Sequence, residues 1–145
     1  MDLLKENNMT NEEKQLLLID LCGRLPYGVM CLYDHIIPGV MQISHAVGKL
    51  NGIIPFEDTI GFMVNYHKVN ALYNNIRPYL RPMSSMTEEE KEEYEMLQVY
   101  PGFKTNHTDL TDMYDWLNKN HFDFRGLIPM GLALEAPEGF YIKKK

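Results

Sequence analysis

The sharpest constraint on this chain is a junction near its middle. From Ile76 to Glu95 the sequence reads IRPYLRPMSSMTEEEKEEYE. Pro78 and Pro82, with Arg77 and Arg81 before and between them, give way abruptly to a helix start. Thr87-Glu-Glu-Glu90 has the spacing of a capping box, in which the Thr87 hydroxyl accepts from the Glu90 amide and the Glu90 carboxylate returns to the Thr87 amide. Glu88, Glu89 and Glu90 fill the first turn, where the helix dipole favours negative charge. The junction therefore joins two halves that are built differently.

The first half opens on another capping box, Thr10-Asn-Glu-Glu13, followed by Leu16, Leu17, Leu18, Ile19 and Leu21. With Gly23 as a left-handed stop, the pattern predicts a helix over about Asn11–Cys22 that packs on the rest of the domain. From Tyr27 to Val69 the texture turns strand-like. Val29, Cys31 and Tyr33 alternate with Met30 and Leu32, and Met41, Ile43, His45 and Val47 alternate with Gln42, Ser44 and Ala46. Ile60, Phe62, Val64 and Tyr66 form a further period-2 face. Asn51-Gly52 suits a type I′ hairpin turn, and Pro55 places its segment at a sheet edge or outside the sheet. Three to four antiparallel strands curled into a half-barrel fit this half.

In the second half, Thr108 or Asp109 is expected to cap a helix whose apolar stripe is Leu110, Met113, Tyr114 and Leu117. Trp116, off the centre of that stripe, is expected to close the boundary between the halves. Asp123 caps a further short turn that Pro129 limits, and the tail Ile142–Lys145 is expected to fray. The expected fold is α+β, with an N-terminal helix, a small antiparallel sheet or SH3-like half-barrel, and two to three short C-terminal helices. A single domain spans 1–145, and its halves, 1–82 and 83–145, share one core.

Charge narrows the function. The net charge is −6, and residues 82–145 hold 12 of the 20 acidic groups. Nucleic-acid binders normally show the opposite sign, because neutralising phosphates supplies most of their affinity. Cys22 and Cys31, the two cysteines, read as buried free thiols. MDLLKENNMT lacks the basic and apolar regions of a signal peptide, and no apolar run approaches the ~20 residues that span a bilayer. These features predict a soluble, cytoplasmic protein.

Four blocks stand in order along the chain: RLPYG (Arg24–Gly28), RPYLRPMSSMTEEEKEEY (Arg77–Tyr94), DWLNKNHFDFRGLI (Asp115–Ile128) and GLALEAPEG (Gly131–Gly139). Together they resemble a family of small proteins of unassigned function encoded by gut Bacteroidales and their phages or mobile elements. The resemblance covers roughly half the chain. It implies a shared fold and a mobile-element origin, and it brings no catalytic residue. Where relatives are expected to carry a polar pair, often Glu-Lys, this chain has Pro129-Met130, which disfavours a regular helix from Phe124 to Gly131. The segment 35–75 is particular to this chain and is the expected seat of partner choice.

Chemistry-bearing constellations are few. His107-Thr-Asp109 and His121-Phe-Asp123 repeat a ligand-like spacing, but a helix between them sets the pairs roughly 18–20 Å apart, too far to share a metal. Cys22 or Cys31 could pair with one of five histidines, yet neither lies at a helix N-terminus that would lower its pKa. The phosphate-loop, nucleophile-elbow, dinucleotide and zinc-protease motifs are absent, so neither a cofactor nor catalysis is expected. Arg77, Tyr79 and Arg81 would share one side of an extended segment, either as a carboxylate-, phosphate- or protein-binding surface or as internal anchors pairing with the acidic 88–95 helix. Phe122 and Arg125 in His121-Phe-Asp-Phe-Arg125 read as a recognition knob or as a helix-end turn with its rings in the core. EEEKEEYE reads as an acidic docking face or as a solvent-facing helix. The resulting expectation is a non-catalytic module that binds a protein partner. The alternatives are a nucleic-acid-associated accessory factor, a virion or assembly component, and a small enzyme.

Overall fold

The computed structural model describes residues 9–37, 42–55, 60–65, 67–69, 76–100 and 110–141. Its architecture is α+β, with an N-terminal helix, a mostly antiparallel sheet and two later helices. Helix α1 (Asn11–Arg24) starts at the predicted capping box, with Thr10 and Glu13 exchanging bonds of 2.9 and 3.1 Å. It runs past Gly23, which is not its stop. The left-handed position falls instead at Gly28 (φ 67), after a 3-10 turn over Leu25–Tyr27. Gly23 serves packing, since an added Cβ would lie 3.2 Å from the Asn118 side chain.

Strands β1 (Met30–Ile37), β2 (Gln42–Pro55), β3 (Ile60–Val64), β4 (His67–Val69), β5 (Ile76–Leu80) and β6 (Leu134–Glu135) form one sheet in the order β4-β3-β2-β1-β5-β6. All neighbours are antiparallel except β5 and β6. β2 changes partner along its length, pairing with β1 up to Lys49 and with β3 from Leu50 onward. The sheet curls enough to bring β4 close to β1 across the two strands that separate them.

Asn51-Gly52 is not a hairpin turn. It lies within β2, where the register shifts between Leu50 and Gly52, and the extra residue bends the strand. The predicted face of β2 is also inverted. Gly48 and Leu50 are buried and Ala46 packs on the core, whereas Val47 is 41% exposed. Apolarity misleads here because Gly48 must be small: a Cβ there would come within 2.4 Å of the Asn65 carboxamide, which accepts the Lys49 amide. Pro55 ends β2 where the strand has β3 as its neighbour and no β1 pairing. Phe62 and Val64 face the core as expected, and Tyr66 lies outside the described residues.

Helix α2 (Glu88–Val99) begins at the second predicted capping box, with Thr87 and Glu90 exchanging bonds of 3.0 and 3.1 Å. Helix α3 (Thr111–Lys119) has Leu110 at its N-cap with no side-chain bond; the expected caps Thr108 and Asp109 lie outside the described residues. Its buried stripe is rotated toward Met113, Trp116 and Leu117, leaving Leu110 and Tyr114 exposed. Trp116 stacks between Tyr94 and Phe122 inside the helical half.

The buried apolar residues form two clusters, in place of the one core expected. The first joins α1 and the sheet to Leu127, Leu132 and Ala133. The second joins Met86, Leu97, Met113, Trp116, Leu117 and Phe122. Between them lies a buried polar network. Arg24 Nε and Nη2 donate to the Asp20 carboxylate at 2.8 and 3.0 Å, Nη2 also donates to the Phe122 carbonyl at 2.6 Å, and Arg125 donates to Asp20 at 2.6 Å. These charge-assisted bonds link α1 to the end of α3.

Candidate functional site

The five residues singled out in sequence do not assemble into one surface. Arg77 and Tyr79 lie on β5 and Arg81 follows it, and each is held within the fold. Arg77 is fully buried, donating to the Gly131 carbonyl at 3.1 Å and to its neighbour Ile76 O at 2.6 Å, with the Met9 sulfur 3.6 Å away. Burial pushes its guanidinium below the usual value, against the attraction of Glu13. Tyr79 packs on Phe140 at 4.9 Å, and its carbonyl accepts the Tyr141 hydroxyl.

Arg81 makes two parallel bonds to Glu90, 2.8 and 2.7 Å, with its guanidinium 4.2 Å over the Phe122 ring. Its backbone is committed as well, donating to His121 O and accepting from the Asp123 amide. Phe122 is fully buried and forms no knob. Arg125 is held by Asp20 and lies 4.3 Å over Phe124. All four arginines of the sequence are thus engaged within the fold, which fits the internal-anchor alternative for Arg77, Tyr79 and Arg81 and the core alternative for Phe122, with Arg125 held by Asp20; Arg81 also lines the cleft described below.

The segment after α3 explains why. Phe122 N donates to Leu117 O and His121 N to Asn118 O, the two bonds of a Schellman cap. His121 holds the left-handed position (φ 61), where glycine is the usual occupant. The cap turns the His121 ring onto Tyr141, with centroids 3.9 Å apart. Burial, followed by the charges of Arg24 and Arg81, pushes the His121 pKa down to about 4. Tyr141 accepts the Met30 amide and donates to Tyr79 O, pinning the C-terminal segment across β1 and β5. Burial pushes its phenol well above the ordinary range, against the bond from Met30. Asp123 accepts the amides of Leu127 and Ile128 at 2.8 and 2.9 Å; the expected short helical turn is a capped turn there, closed by Gly131 (φ 75).

Pinning residues 135–141 opposite α2 opens a cleft of about 770 Å³. One wall carries Glu89 and Glu93, one helical turn apart; the other carries Glu135, Pro137, Glu138 and Phe140. Arg81 and Glu90 line it between Pro82 and Thr87. The described lining residues include five glutamates and one arginine, and that arginine is held by Glu90. Neither cysteine and no histidine is among the described lining residues. A shallower depression over Gly28 is lined by Lys49, Lys119, Asn51 and Tyr27.

The two thiols differ. Cys31 is fully buried, and burial pushes its thiol far above the usual range; Cys22 is exposed, contrary to expectation. α1 buries Leu17, Asp20, Leu21 and Arg24, and Cys22 sits on the opposite side of the helix. His107 and Asp109 lie outside the described residues, and among those described no group of three or more His, Cys, Asp and Glu could hold a metal. No described helix is long and apolar enough to cross a membrane.

Sequence reasoning missed Glu135, Glu138 and Phe140 as site residues. The acidic 88–95 helix gave one half of the signal. Nothing in the sequence places the 135–140 segment opposite it. No protein-family profile matches the chain, and neither the curated proteins nor the solved structures yield a match.

Proposed function

We propose that this chain is a non-catalytic interaction module that binds a protein partner in the acidic cleft between α2 and residues 135–141. The cleft is the observation that carries the reading: an open groove walled by helix and strand, rimmed by carboxylates, with two prolines and two aromatic rings along it. The distribution of arginines weighs against a nucleic-acid role, since each is committed inside the fold. The resemblance of the four sequence blocks supports a phage or mobile-element origin, and a cytoplasmic host protein is the expected partner.

Capture from a host lysate on the immobilised chain, followed by mass spectrometry, tests this reading. The control is Glu93→Gln with Glu138→Gln, both at the rim. Proteins held by the wild type and lost from an equally stable variant are expected; identical captures would reject the cleft as the binding surface.

A second reading, a component of a larger assembly, has its own observation. Met96, Val99 and Tyr100 at the end of α2, and Leu110 and Tyr114 at the start of α3, are 39–58% exposed. A defined oligomer in light scattering is what that reading requires.

A further inference from the structure

We infer that the open edge of β6 receives a lysine- or arginine-bearing segment of the partner in extended form, added to the sheet as a strand within the acidic cleft. This rests on the interaction-module reading above and specifies its partner class and binding mode.

The argument begins with the ladder. β6 is the last strand of the sheet, paired to β5 on one side through Tyr79↔Leu134 and Leu80↔Glu135. The Ala136 amide donates to Leu80 O at 2.7 Å, while the Arg81 amide goes to His121 O. With Leu80 thus bonded to the residues flanking Glu135, the alternation of a strand turns the Glu135 N–H and C=O away from β5. Glu135 itself is exposed and lines the cleft. The cleft therefore has a donor–acceptor pair of sheet edge along one wall, the feature that strand addition uses.

The occupant follows from charge. Glu89 and Glu93 on α2 face the β6 wall with its Glu135 and Glu138. An anionic or purely apolar segment would desolvate these carboxylates and offer them no opposite charge in return. A strand with basic residues at alternate positions presents cations to one row of carboxylates, while its backbone meets Glu135. Phe140, on the same wall, offers a ring face to a guanidinium. Main-chain bonds to the two residues of β6 set direction and register, and the ion pairs add to the affinity.

The test is an amide-resolved NMR titration of the full chain with a capped hexapeptide, Arg-Thr-Arg-Thr-Arg-Thr, at low and physiological salt. The Glu135 amide should shift and exchange more slowly, and affinity should fall as salt rises. Glu93→Gln with Glu138→Gln should weaken binding roughly tenfold, the loss expected for two partly exposed ion pairs. Glu135→Gln should retain most of the binding, whereas Glu135→Pro, which deletes the outward donor, should abolish it. The same peptide N-methylated at alternate residues tests strand addition without altering the protein, and it should not bind. Equal binding of methylated and unmodified peptides would overturn strand addition. So would a wild-type chain that captures a partner through the cleft yet ignores the peptide; in both cases the interaction reading stands. Binding that emerges only after Lys143, Lys144 and Lys145 are replaced by glutamine would give the edge to the chain's own tail and overturn the partner. Failure of both capture and titration would reject the two proposals together.

Discussion

Arg81 and Glu90 form a two-bond ion pair, Nη1–Oε2 2.8 Å and Nη2–Oε1 2.7 Å, that fastens the end of β5 to the first turn of α2. Glu90 serves twice, because its Oε1 also accepts the Thr87 amide of the capping box at 3.0 Å. Helix initiation and the joining of the two halves therefore depend on one carboxylate. Arg81→Ala leaves Glu90, with a side chain 5% exposed, short of its main partner. The expected cost is about 2–3 kcal/mol, the range of charge-assisted bonds at a largely desolvated site. Urea unfolding of Arg81→Ala, Glu90→Gln and the double variant should reveal strong coupling; additive losses would mean that the two residues act separately.

Asp20 accepts from two arginines at zero exposure and has no solvent to replace them. Asp20→Ala strands two guanidinium groups between the apolar clusters and should cost about 3–5 kcal/mol. A midpoint unchanged in denaturant would show that the network contributes nothing to joining the halves.

The thiols give a sharp chemical readout. Cys22 is exposed and Cys31 is fully buried with its thiol protonated. A disulfide-exchange reagent at neutral pH should label one thiol per chain in the native state and two in denaturant. Cys22→Ser should remove the native reaction entirely. Two reactive thiols before unfolding would contradict the packing of β1.

His121 should make stability depend on pH. Its folded pKa is lowered to about 4 from an ordinary value of 6.5, so the unfolded state binds the proton more readily between those values. Its contribution is complete above about pH 6.5 and declines as pH falls toward 4, on the order of 3 kcal/mol in total. His121→Asn keeps a residue that tolerates the left-handed backbone and removes the titrating group. Denaturant midpoints measured from pH 4 to 7 should rise less steeply for this variant than for the wild type; parallel curves would mean that His121 stays accessible to protons.

Much of the secondary structure was written locally. Both capping boxes begin helices at their threonines because the donors and acceptors of such a cap lie three residues apart and need nothing from the rest of the chain. The buried alternation of Val29, Cys31 and Tyr33 was legible for a similar reason, as a strand's period is fixed by its backbone. β5 was harder to see, since it carries Pro78. Its ladder tolerates the missing donor because β6 reaches only Tyr79 and Leu80. The errors of phase have one cause. Val47 and Tyr114 are more apolar than Gly48 and Asn118, yet the latter two are buried, because Gly48 leaves room for the Asn65 side chain and Asn118 packs against Gly23.

Local residues were enough to place the helix starts, to show an alternating half meeting a helical half near Pro82, and to make the C-terminal half acidic. It took the assembled fold to turn Arg77 and Arg81 into internal anchors, to put Phe122 in the core, and to set Glu93 facing Glu138 across a cleft. A cap or a strand face is settled within a few residues by backbone geometry. A cleft between residues 89–93 and 135–140 depends on contacts more than forty positions apart, and on the bond that the Met30 amide donates to Tyr141 and the stack of Tyr141 on His121 that hold one of its walls. No local pattern encodes such contacts, because each partner's own neighbourhood is equally compatible with solvent.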